Sequence, residues 1–226
     1  MPARILLAAV LLLASCLLAH AESSRHAVRV ALAPDMVDTL SGIAWNALTE
    51  ECTTIWEREG VALTWAGAGD GTDAVLPLVF NHREVRKHDH KGGDAFGVTL
   101  FAGHSRTIVV SIDRAREVIA QRHGLADSSD ATTLDIAMGR LLGRVVAHEI
   151  GHALLLTLTH AAEGLMRARF ETGDLRPGLD GEFALAAPDR QRLAIRFSNR
   201  RPADVALATF TWREAPPAPS PLRARR

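Results

Sequence analysis

The residues most able to do chemistry lie in one run, VVAHEIGHALLLTLTHAAEGLMRARF, from Val145 to Phe170. His148 and His152 stand four residues apart. On a helix that spacing puts both rings on one face, one turn apart, where two imidazoles can share a Zn²⁺ at about 2.0 Å. Glu149 projects roughly 100° around the helix from His148, beside the metal point, where a carboxylate can take a proton from metal-bound water. Three ionisable groups within five residues, set between LLGRVVA and ALLL, are costly to bury unless something pairs with them. The pattern is therefore read as a metal site with His148 and His152 as ligands and Glu149 as general base. The bland alternative, two hydrogen-bonded histidines on a core helix, leaves that cost unanswered.

Catalytic zinc usually takes three protein ligands and keeps a fourth position for water. His160, eight residues past His152, and Glu171, nineteen past it, are the candidates for the third. HEIGHALLLTLTH followed by EGLM resembles the metzincins, zinc peptidases with the pattern His-Glu-x-x-His-x-x-Gly-x-x-His and a methionine turn beneath the metal. The third histidine here follows seven intervening residues instead of five, and Leu155 stands where that family has its glycine. The resemblance implies His148, His152 and His160 as zinc ligands, Glu149 as the catalytic base, and Met166 packed under the site. A gluzincin-like site would instead take Glu171. Several metzincin branches stabilise the oxyanion with a tyrosine, and this chain has no Tyr, leaving zinc, Arg167, Arg169 or backbone N–H groups for that task.

These residues need a scaffold, and the apolar pattern supplies one. HAVRVALAP, VALTWAG, DAVLPLVF, FGVTLFA and RTIVVSI read as five strands, the last two joined by Gly103-His104-Ser105 as an antiparallel hairpin. A long amphipathic helix is predicted from Met36 to Glu59, capped by Asp35 and stopped by Gly60. A short helix follows over Asp113–His123. A second long helix, capped by Asp130 or Thr132, carries Leu134, Met138, Leu141, Leu142, Val145, Val146 and Ile150 at helical spacing into the histidine motif. Gly139 and Gly143 lie on one side of it and are expected to permit close approach to the sheet. Past Met166 the chain is irregular until a short helix over DRQRLAIRF. This order makes an α+β fold. With the resemblance, it implies a zincin-like mixed five-stranded sheet covered by two long helices, a small irregular C-terminal subdomain, and FGVTLFA as the edge strand that pairs with an extended peptide.

Lys plus Arg equals Asp plus Glu at 26 each over 226 residues, so no global field marks a nucleic-acid or anionic-membrane binder. One domain of ordinary size is expected, over residues 22–198. Residues 1–21 read as a signal peptide: Arg4, an apolar run of about 14 residues, too short to span a membrane, and Ala19-His20-Ala21 for cleavage. LASC, ending at Cys16, offers a lipoprotein anchor as the alternative. Residues 199–226 are Pro/Arg-rich and read as a disordered tail. His82, His88 and His90 read as a polar loop ahead of a second metal site. The expectation is an exported zinc-dependent endopeptidase, secreted, periplasmic or lipid-anchored, acting on a peptide or protein substrate. Its alternative is a non-catalytic zincin-like zinc-binding module of the cell envelope.

Overall fold

The computed structural model describes residues 26–32, 39–65, 74–82, 95–103, 105–123, 130–169 and 182–198. The expected signal segment, Cys16, His88, His90, His104, Glu171 and the tail lie outside them. Five strands form one sheet: β1 (His26–Leu32), β2 (Val61–Trp65), β3 (Ala74–Asn81), β4 (Gly97–Ala102) and β5 (Ser105–Ser111). Their order is β2-β1-β3-β5-β4, parallel throughout except for the antiparallel β4–β5 hairpin. The sheet is therefore mixed, with β2 and β4 at its two edges among the described strands.

Four helices accompany it among the described residues: α1 (Gly42–Arg58), α2 (Ile112–His123), α3 (Ala131–Leu155) and α4 (Ala187–Ser198). The long helix expected from Met36 starts later, at Gly42, because Ser41 takes the cap: its backbone is extended and its hydroxyl accepts the Ala44 N–H. Gly60 ends the helix as expected, with φ of 75°. Asp130, not Thr132, caps α3, its carboxylate accepting from Thr132 and Thr133 N–H groups and held below the usual carboxylate range by those bonds.

Alternation puts Val28, Val30, Leu76, Leu78, Phe80, Ile108 and Val110 on the covered face of the sheet. They share one core with Leu48, Cys52, Ile55 and Trp56 of α1 and with Leu142, Val145, Val146 and Ile150 of α3. Gly139 and Gly143 correct the sequence reading: their close approach is to α1, not to the sheet. A Cβ at Gly139 would lie 2.3 Å from the Ala44 carbonyl oxygen, and one at Gly143 2.7 Å from that of Leu48. Two helices this close leave no room for water at their crossing, and Trp56 Nε1 can donate to the Ala147 carbonyl at 3.1 Å. Beside them, buried Arg144 donates through Nε to Glu51 at 2.6 Å and lays its guanidinium 4.7 Å from the Phe183 ring. Helix α3 is thus gripped along its length, and no described helix is long and apolar enough to cross a membrane.

Candidate metal centre

The C-terminal third of α3 is buried on all sides: His148, Glu149 and His152 keep 5%, 3% and 2% of their surface exposed. Helical spacing sets the two histidines on one face a turn apart as expected, their rings edge-on at 85° with His148 Nε2 and His152 Nε2 3.0 Å apart. The other nitrogen of each ring meets a main-chain carbonyl. His148 Nδ1 lies 2.7 Å from Leu165 O, and His152 Nδ1 lies 2.7 Å from Thr157 O. A carbonyl only accepts, so each Nδ1 must carry the proton, and each neutral Nε2 then presents a lone pair. Two lone pairs facing one another at 3.0 Å repel unless a proton or a metal ion lies between them. Two nitrogens on a tetrahedral zinc would be about 3.3 Å apart for bonds near 2.05 Å, so the donor set fits such an ion.

Helix α3 ends without a glycine. Leu156 adopts the left-handed conformation at φ 51° and ψ 47°, one residue beyond Leu155, the position where the metzincin pattern that the sequence resembles has glycine. The cost for a non-glycine residue is about 1–2 kcal/mol. What it secures is the turn itself. The N–H groups of Leu156 and Thr157 both reach the His152 carbonyl, and the Thr157 carbonyl comes back to the His152 ring. The chain then runs to His160, whose ring lies 5.3 Å from that of His148 and 4.9 Å from that of His152. One ligand atom from each of the three rings falls within 4.8 Å of the other two. The longer spacing between the second and third histidines thus still brings all three together.

Below them a tight turn holds Met166. Ala161 N–H donates to the Met166 carbonyl at 2.8 Å, and Leu165 N–H to that of Ala184 at 2.8 Å. Gly164 at φ 72° is required there, since a Cβ would meet the Ala184 oxygen at 2.4 Å. Met166 is buried with its sulfur under the helix: a Cβ on Gly151 would lie 2.2 Å from Sδ. The same turn supplies the Leu165 carbonyl that fixes His148. It is anchored in turn through Leu185, whose N–H donates to Glu59 Oε1 at 2.9 Å at the end of α1.

Glu149 faces the edge strand. The Thr99 hydroxyl lies 2.8 Å from Glu149 Oε2 and 2.8 Å from the Glu149 carbonyl oxygen. Gly97, on the same face of β4, leaves room for the glutamate stem, since a Cβ there would lie 3.0 Å from Glu149 Cγ. Neither residue was singled out from the sequence. The signal was present in GVTLFA, where strand alternation puts a threonine on the inward face. Arg167, one candidate for meeting an oxyanion, instead lies 5.0 Å over the Phe183 ring, and Arg169 is exposed. His82, exposed, sits 3.5 Å from Asp113.

Fold and centre together define an α+β domain whose longest helix carries a three-histidine group able to hold a metal ion beside a buried glutamate. No protein-family model and no curated protein matches the chain. Among solved structures it is similar to a zinc-dependent peptidase from Methanocorpusculum labreanum, at 11% identity and a TM-score of 0.43, covering 74% of this chain and 99% of that one. An overlap that loose transfers no residue's role, and the chemistry here stands on the geometry above.

Proposed function

We propose that the protein is an exported zinc-dependent endopeptidase. The observation that carries this reading is the carbonyl pinning of His148 and His152, which turns two buried Nε2 lone pairs toward one point with His160 beside them. His148, His152 and His160 would hold the zinc. Bound there, zinc supplies a Lewis acid that polarises a substrate carbonyl and acidifies water. Glu149, adjacent in sequence and buried against β4, takes the proton from the attacking water and delivers it to the leaving amine. No described strand pairs with the outer side of edge strand β4, so its N–H and C=O groups can meet an extended peptide, which gives affinity with little dependence on side chains. Export through residues 1–21, or anchoring at Cys16, belongs to the same proposal and is checked by the N-terminus of the mature chain.

The test is zinc per chain and cleavage of a degenerate peptide pool by the chain from Glu22 onward. One zinc per chain is expected, with cleavage by the wild type. Glu149→Ala should retain zinc and lose about 10²–10⁴-fold in rate, and His160→Ala should lose zinc. Stoichiometric zinc with no cleavage by the wild type would refute the peptidase and leave a zinc-binding module. Full zinc retention by His160→Ala would remove His160 from the ligand set.

A further inference from the structure

We infer that Thr99 is a positioning residue for Glu149, and that the edge strand, through Thr99 and Gly97, sets where the carboxylate points. This rests on Glu149 acting as the base proposed above. Thr99 is 3% exposed and turned inward from β4. Its Oγ1 stands 2.8 Å from Glu149 Oε2 and 2.8 Å from the same residue's main-chain oxygen, so its one proton is within reach of both acceptors and, given to the carboxylate, ties the head of the side chain to β4. Two residues earlier, on the same face, Gly97 leaves the space that the glutamate stem fills: a Cβ there would lie 3.0 Å from Cγ, 3.1 Å from Oε1 and 3.1 Å from Val145 Cγ1.

A glutamate side chain has three rotatable bonds, and a base works only when its oxygen lies within hydrogen-bond reach of the proton it abstracts. Burial alone does not choose a rotamer. A strand hydroxyl bonded to one carboxylate oxygen does. The missing Cβ at Gly97 keeps the stem from being pushed off that bond. Since β4 is also the edge available for an extended peptide, one strand fixes both the position of the base and the register of the chain to be cut. Thr99 reaches Glu149, whereas the Nδ1 atoms of His148 and His152 are met by the Leu165 and Thr157 carbonyls. Its loss should therefore leave metal retention alone.

The test compares Thr99→Val, which keeps shape and strand propensity but removes the hydroxyl, with Thr99→Ser, which keeps the hydroxyl. Thr99→Val should lower kcat about 10–100-fold, the loss expected when a reacting group is displaced by about 1 Å, with KM within about twofold and zinc per chain unchanged. Thr99→Ser should recover kcat to within about threefold of the wild type. Gly97→Ala, which keeps the hydroxyl and pushes the stem, should give the same kcat defect and serves if the valine variant does not fold. A second readout does not depend on activity: the Glu149 Cδ resonance of ¹³C-glutamate-labelled, metal-free protein should move in Thr99→Val and Gly97→Ala and return in Thr99→Ser. Wild-type kcat together with an unmoved Cδ resonance in Thr99→Val would overturn the inference, as would Thr99→Ser behaving like Thr99→Val. If the wild type cleaves no peptide, the peptidase reading fails, and the resonance alone decides whether Thr99 holds Glu149.

Discussion

The contact between Gly151 and Met166 gives the sharpest quantitative prediction. An added Cβ at position 151 would sit 2.2 Å from Met166 Sδ, where nonbonded heavy atoms settle at about 3.5–4.0 Å. Methionine is flexible, but Met166 is 1% exposed and its turn is closed by main-chain hydrogen bonds, so retreat means overpacking near the upper end of the usual range, about 3 kcal/mol. Alanine in place of glycine returns about 1 kcal/mol of helix propensity. Gly151→Ala is therefore predicted to destabilise by about 2 kcal/mol. Met166→Ala should cost about 3 kcal/mol through the cavity it leaves. In the double variant the new Cβ projects into that cavity and the clash disappears, giving a net loss of about 2 kcal/mol, so the two changes are coupled by about 3 kcal/mol. Urea titration followed by tryptophan fluorescence measures this cycle. Because the displaced turn also carries the Leu165 carbonyl on His148, Gly151→Ala should weaken zinc binding about 10–100-fold in chelator competition, and the double variant should recover part of it. Additive costs within about 0.5 kcal/mol would refute the packing account.

Three further expectations follow from single contacts. Gly139→Ala should destabilise by about 2 kcal/mol despite its better helix propensity, because the atom met at 2.3 Å is the backbone oxygen of Ala44, which cannot swing away; a stabilised variant in urea titration would contradict the tight α1–α3 crossing. Arg144→Ala should cost about 3 kcal/mol by leaving the Glu51 carboxylate without its buried partner and uncovering Phe183, and Arg144→Met should recover only the packing on Phe183, since Glu51 stays unpaired; equal midpoints for Arg144→Ala and wild type would show the pair contributes nothing. Burial pushes the Cys52 thiol well above its ordinary range, the neighbouring Glu51 charge adding to it, so Cys52 should resist alkylation at pH 8 until the domain unfolds; rapid labelling of native protein would mean that α1 opens locally.

The parts of this molecule legible in its sequence are those governed by local periodicity. The α3 apolar ladder from Leu134 to Ile150, the β4–β5 hairpin and the shared face of His148 and His152 each follow from spacing alone. What spacing leaves out is the identity of the partner across a gap. Gly139 and Gly143 announce close approach in sequence, but only the packed structure assigns that approach to α1. The start of α1 departs from the periodicity for a related reason: Val37 and Leu40 continue the helical period, yet Ser41 supplies the cap and the helix begins after it. Thr99 is not legible in the sequence because threonine is an ordinary strand residue, and only the packed structure sets Glu149 opposite it.

The glycine-free run from Ala153 to Thr159 brings these lines together. A glycine after the second histidine would let the chain leave the helix without strain. Here Leu156 takes the left-handed conformation instead, and the structure around it supplies the compensation locally. The His152 carbonyl takes two N–H groups from the turn, and the Thr157 carbonyl engages the His152 ring, so the turn that breaks the helix is also the turn that sets that ring's proton on Nδ1. The Met166 turn does the same for His148 through Leu165. Each helix-borne histidine is therefore oriented by a carbonyl from chain beyond the helix, while Glu149 is held from the opposite direction by β4. Histidine orientation is a property of the two turns, glutamate orientation is a property of the edge strand, and α3 is the common beam on which both act. On this argument, changes in the turns should appear first in metal affinity, and changes in β4 should appear in rate with the metal still bound.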